Sequence, residues 1–164
     1  MYLPSRPQEP LQTLYDFSGP DGRQPGGALL EATDGFFYGV TSGGGDEEFG
    51  TVFKISAAGA LTTLIINGLQ IGGEPIGALV QGPDGNFYGV TTASYGEVYQ
   101  MTPAGTTAQL YVFNPNIRPD DGAGFKSGLI MDFAGDLYGA NPYGSEFDYG
   151  ALFRITTSGV LRNL

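Results

Sequence analysis

Cysteine, histidine and tryptophan are absent from the 164 residues. The first absence excludes disulfides, thiolate nucleophiles and cysteine metal sites. The second excludes imidazole ligands and every catalytic triad with a histidine base. Positive charge is scarce as well: 7 Lys and Arg stand against 17 Asp and Glu, a formal charge of −10. Such a surface repels phosphate backbones, so nucleic acid is not an expected partner. No long apolar run or basic amphipathic stretch occurs, so membrane insertion is not expected either. The opening "MYLPSRPQEP" is polar and proline-rich and lacks the apolar stretch of a signal peptide. The chemistry left to the chain is that of carboxylates, phenols, hydroxyls and a few lysines and arginines.

What the chain has in quantity is glycine (28), phenylalanine (11) and tyrosine (10). Glycine with aromatics and short apolar runs predicts an all-β protein rich in turns, and the length suffices for one domain with a core. Internal repetition then organises it. "GFFYGVT", "GNFYGVT" and "GDLYGAN" begin at Gly35, Gly85 and Gly135, spaced 50 residues apart. Before each lies an apolar pair (Leu29-Leu30, Leu79-Val80, Leu129-Ile130), and after each a variable loop ending at Gly50, Gly96 or Gly150. Next come an alternating strand ("TVFKI", "EVYQM", "ALFRI"), a tight turn, and a last strand ("LTTLI", "AQLYVF", "LRNL"). Asp-Gly at 34–35 and 84–85 is a hairpin signal. Four short strands per repeat of this length predict the blades of a β-propeller, three per chain, near 28–66, 77–113 and 128–164. A further copy of the outer strand, "LQTLYDF", lies at 11–17, so a repeat domain over 11–164 follows a proline-rich tail at 1–10.

These motifs resemble the GloVer-type tandem repeat of bacterial proteins, which often carry varied C-terminal anchors. Its pattern runs through an outer "LTTLYSF" strand, "DGNLYGTT", a glycine-rich loop and "GTVFKLTPSG". Here "LQTLYDFSGPDGRQPGGALL" and "DGFFYGVTSGGGDEEFGTVFKISAAG" follow it. The third copy departs: Phe125 replaces the proline of Pro25 and Pro75, and Ala134 replaces the aspartate of Asp34 and Asp84. The resemblance implies a propeller-like, exported or surface-associated protein, and supplies no catalytic residue.

Three blades are too few to close a ring, since propellers use about four to eight. A homodimer making a six-bladed ring is therefore expected, in which "LQTLYDF" of one chain can complete the third blade of its neighbour; a longer repeat array of which these three blades are a piece is the alternative. "VLRNL" can fill the same place in its own chain, and only one of the two can occupy it. The strictly repeated Tyr38, Tyr88 and Tyr138 are expected to pack between blades, as are Phe53, Tyr99 and Phe153. Gly89 is expected to let neighbouring backbone come close.

The unrepeated loops lie at one end of every blade, the place for a ligand. Tyr95, Tyr143, Phe147 and Tyr149 are the candidate ligand-binding residues, suited to stacking on a glycan; packing at a joint between protomers is the competing expectation. Asp46, Glu47 and Glu48 are candidate calcium ligands, although no EF-hand spacing is present, and solvated loop acids are the alternative. Asp120, Asp121, Glu146 and Asp148 complete the loop carboxylates from which a glycosidase-like pair would be drawn. The expected function is a non-enzymatic, self-assembling structural or ligand-binding scaffold without a cofactor. A lectin-like protein or a carboxylate-dependent carbohydrate-active enzyme is the alternative.

Overall fold

The computed structural model describes residues 11–65, 73–92, 95–114, 116, 124–143 and 149–164. Twelve strands form three four-stranded antiparallel sheets. The first contains β1 (Arg23–Glu31), β2 (Phe37–Gly43), β3 (Thr51–Ile55) and β4 (Leu61–Ile65) in that order. The second contains β5 (Pro75–Gln81), β6 (Phe87–Thr91), β7 (Glu97–Met101) and β8 (Thr107–Val112). The third contains β9 (Ile130–Met131), β10 (Leu137–Asn141), β11 (Ala151–Ile155) and β12 (Leu161–Asn163). Each sheet is thus a sequential meander, the order of a propeller blade.

The hairpins close as their residues dictate. Gly35, Gly85 and Gly135 adopt φ of 81°, 80° and 88°, and each donates its N–H to the carbonyl three residues earlier. Only glycine takes that conformation without a side-chain penalty. Asp34 and Asp84 tighten their turns by accepting from the N–H two residues on. In the third blade, where Ala134 stands, Asp132 accepts from the N–H groups of both Ala134 and Asp136 instead.

The blades stack through two apolar layers. Tyr38, Val40 and Val52 of the first meet Leu79, Phe87, Tyr99 and Met101 of the second. Tyr88, Val90, Val98 and Phe113 of the second blade meet Phe125, Leu129, Leu137, Phe153 and Ile155 of the third. Equivalent positions therefore do equivalent work in successive blades. Along the first strands the backbones touch: a Cβ on Gly27 would lie 2.5 Å from the Gly77 backbone, and one on Gly77 would lie 2.2 Å from that of Gly128.

Three expectations change. Residues 11–17 carry no strand ladder, because no strand of the described residues pairs with them. The first two sheets open earlier than the apolar pairs suggest, at Arg23 and Pro75, through irregular pairing between Gly26 and Leu30 and between Ile76 and Val80. Gly89 admits a ring rather than backbone: its Cβ would sit 2.5 Å from the Tyr99 hydroxyl, as that of Gly39 would from Phe53 and that of Gly139 (at 2.4 Å) from Phe153.

Candidate functional site

Two of the repeated tyrosines are anchored at both ends. The rings of Tyr38 and Tyr88 lie in joints, and each of the three hydroxyls donates to a turn carboxylate: Tyr38 to Asp34 and Tyr88 to Asp84, both at 2.8 Å, and Tyr138 to Asp132 at 3.0 Å. Burial, aided by the adjacent carboxylate, pushes the phenols of Tyr38 and Tyr88 up to about 12. Burial also acts to raise the Asp84 carboxyl, but the donors from Tyr88 and Asn86 outweigh it and leave it below the usual range. Asp132 is likewise held low, chiefly by the N–H of Asp136. Tyr38 stacks on Phe87 with centroids 4.2 Å apart, and Tyr88 is buried in the next layer. Tyr138 has no following blade, and its ring is half-exposed beside Ile130, Met131 and Phe133.

The loop aromatics follow the same rule. Phe49, Tyr95 and Tyr149 each precede the glycine that opens the third strand of their blade. The Phe49 carbonyl accepts from the N–H of Glu74, and the Tyr95 carbonyl from that of Gly124 at 3.1 Å. Each contact ties one blade to the lead-in of the next. The left-handed residue is equivalent in each blade: Gln24, Glu74 and Gly124 have φ of 55°, 49° and 73°. Gly124 also lies against the Tyr143 ring, bringing Tyr95 and Tyr143 around one residue. The Tyr95 hydroxyl accepts from Asn116 at 2.6 Å. Tyr149, at the end of the row, is 92% exposed. Phe147, Asp120, Asp121, Glu146 and Asp148 lie outside the described residues.

The acidic loop does not assemble a cage. Asp46, Glu47 and Glu48 are all exposed, and Glu48 pairs with Arg23 at 2.8 Å. Among the described residues no three acidic side chains group so as to hold a metal ion. Sequence reasoning passed over Glu97, which is buried opposite Thr91, where the first blade pairs the Thr41 and Thr51 hydroxyls at 2.8 Å. Its Oε2 has no partner among the described residues, and burial pushes its carboxyl up. Three blades also leave the two ends of the row open, as their count in the sequence implies. On the leading face of the first blade Leu29 is 53% exposed, whereas its counterparts Leu79 and Leu129 are buried. On the trailing face of the third, Leu152 is 61% exposed, whereas Val52 and Val98 are buried. The only mark of this in the sequence is the count of three.

The pattern of the whole chain now decides its kinship, for the family described as the Gloeobacter/Verrucomicrobia repeat matches residues 5–164. The chain belongs to that family. No curated protein matches this family member by sequence. Among solved structures, it is similar to a protein described as a putative gluconolactonase, with a TM-score of 0.57 at 10% identity, covering 84% of this chain and 47% of that one. It is also similar to a streptogramin B lyase structure, with a TM-score of 0.50 at 14% identity, covering 85% and 53%. Such distant likeness shows the fold alone, a propeller-like stack of blades. This repeat chain spans about half the length of those two proteins.

Proposed function

We propose that the chain is a non-enzymatic propeller module whose task is assembly, two chains combining into a ring of six blades that serves as a scaffold. The observation that supports this reading is the pair of unfinished blade faces at opposite ends of the row. Each exposes the residues that are buried at internal joints: Leu29 and Phe37 at one end, Tyr138 and Leu152 at the other. Exposed apolar faces of this kind mark association surfaces. The aromatics nominated as ligand contacts add support, because Tyr95 lies in a joint between blades and Tyr149 occupies the same place without its joint. A closed ring joins unlike faces twice, and it leaves no blade face uncovered.

Light scattering at rising concentration tests it. The mass is expected to approach twice the 17.2 kDa of one chain. Leu152→Glu, which puts a charge on the trailing face, is expected to return the species to a monomer with its far-UV spectrum intact. A wild-type chain that stays monomeric at high concentration overturns the proposal.

A further inference from the structure

Residues 11–17 have no strand partner among the described residues, yet they are held in place. Leu14 lies over the turn glycine of the first blade: a Cβ on Gly59 would meet the Leu14 carbonyl oxygen at 2.6 Å. At the internal joints Gly105 meets the Leu64 oxygen at 2.7 Å, and Gly159 meets the Leu110 oxygen at 2.6 Å. Leu64 and Leu110 belong to the outer strands β4 and β8 of the preceding blades. The aromatic contacts repeat the correspondence. Phe17 meets Phe53 at 5.2 Å, as Phe113 meets Phe153 at 5.1 Å. Tyr15 meets Phe17 edge-on at 5.3 Å, as Tyr111 meets Phe113 at 5.0 Å. Tyr15 and Ser18 both donate to Asp21, which ties the segment to the lead-in of the first blade. Behind it opens a cleft of about 480 Å³ lined by Leu14, Phe17, Leu29, Phe37, Val40 and Phe53. Segment 11–17 thus holds the place of an outer strand whose blade is missing.

Resting on the assembly reading above, we infer that this segment is a donor strand: in the dimer it pairs with β11 of the second copy and displaces that copy's β12. The second copy is the occupant because its third blade carries the matching half of every internal joint. Tyr138 is the repeat of Tyr38, and it meets Phe37 as Tyr38 meets Phe87. The Tyr149 carbonyl is the repeat of those of Phe49 and Tyr95, and it accepts from the N–H of Gln24. A blade seated there puts its third strand beside segment 11–17, in the register of β7 with β8.

Segment 11–17 and β12 then claim one site. Leu11, Gln12, Thr13 and Leu14 are equivalent to Leu161, Arg162, Asn163 and Leu164, by the pairing of Gln100 with Ala108 and of Arg154 with Arg162. The resident strand is three residues long and sets Arg162 opposite Arg154. Like charges directly across a ladder are unfavourable. The donor sets Gln12 there instead, and it already lies in position against its own first blade. Its ordering is therefore complete before association, which lowers the entropic penalty of binding.

The chain's lack of cysteine makes the test direct. In the register of Val112 with Glu97, Asp16 falls opposite Ala151 of the other copy. The Asp16→Cys, Ala151→Cys double variant is expected to form a two-chain disulfide species under mild oxidation. A second variant ending at Val160, without the resident strand, is expected to dimerise about tenfold more tightly, the change a 1.4 kcal/mol gain produces. A native-mass dimer that neither cross-links nor tightens overturns strand exchange and leaves the assembly reading standing. Dimerisation weakened by removing 161–164 does the same, since β12 would then be part of the joint. Chains monomeric in every variant overturn both.

Discussion

The second blade and the two ends of the row are made from one repeat and live in different surroundings. In the second blade both faces are covered, so Leu79, Phe87, Tyr88, Val90, Val98 and Tyr99 are all buried. At the ends the same positions are filled by residues just as apolar, with half of each joint missing. A surface selected only for contact with water would have lost Leu29, Phe37, Ile130 and Leu152 to polar residues, as the solvent faces of antiparallel sheets usually do. Their retention supports the proposal that the end faces are interfaces built to the internal pattern. The sharpest way to break this comparison is to cut one ring from each kind of joint. Phe87→Ala empties a stacked, fully buried place and is expected to reduce unfolding stability by about 3–5 kcal/mol. Phe37→Ala, at the open end, is expected to reduce the stability of the monomer by less than half as much while weakening the dimer. Urea unfolding at low concentration, with light scattering at high concentration, separates the two effects. Equal losses of monomer stability would show that the first blade's open face is not open in solution.

A second contrast lies in the tyrosines. Tyr38 and Tyr88 are held in joints with phenols raised to about 12 by burial and their aspartates. Their unfolded value is near the ordinary 10, so the folded state retains protons that the unfolded state releases. The stability they contribute is fully present below pH 10 and is lost as the pH rises towards about 12. The expected result is a fall in unfolding free energy across that window. Replacing both with phenylalanine should make it shallower without abolishing it, because the buried Tyr99 phenol is raised as well, whereas Tyr138→Phe at the exposed end, where the hydrogen bond to Asp132 raises the phenol, should change it less. A slope unchanged by the double replacement assigns the alkaline transition to other groups.

Much of this was legible in advance, for reasons that are themselves physical. Packing between blades demands the same side chain at the same place, so Tyr38, Tyr88 and Tyr138 announce themselves by recurrence. The hairpin turns are equally plain, because a left-handed residue calls for glycine at 35, 85 and 135. What stayed hidden is carried by backbone. The bonds from Glu74 to Phe49 and from Gly124 to Tyr95 use N–H groups that any residue but proline supplies, so nothing in the sequence marks Phe49 and Tyr95 as joint residues. Asp132 could not be anticipated as the substitute for Asp34 and Asp84, because it reaches Tyr138 from two places earlier in the turn. The acidic loop read as a possible cage from composition, but its three carboxylates lie on the surface, and Glu48 leans to Arg23. Segment 11–17 was recognisable as an outer strand, yet its lack of a ladder was not, since pairing needs a second strand that none of the described residues supplies there.

The smallest expected effect probes a mismatch inside the well-covered blade itself. Phe53 and Phe153 occupy the third strand of the first and third blades, and Tyr99 stands between them in the second. Among the described residues its buried hydroxyl has no hydrogen-bond partner; it lies close against Gly89, and burial pushes the phenol up. A buried polar group without a partner forfeits the hydration it had in the unfolded chain. Tyr99→Phe removes that group, keeps the ring, and restores the residue found in the flanking blades. The expected gain is about 1 kcal/mol in urea unfolding. The paired change Tyr88→Phe, which deletes a hydroxyl that does have a carboxylate partner, is expected to lose about as much. If Tyr99→Phe destabilises instead, the hydroxyl is bound by something in the folded molecule, and the closeness of Gly89 to it becomes a polar contact rather than a packing necessity.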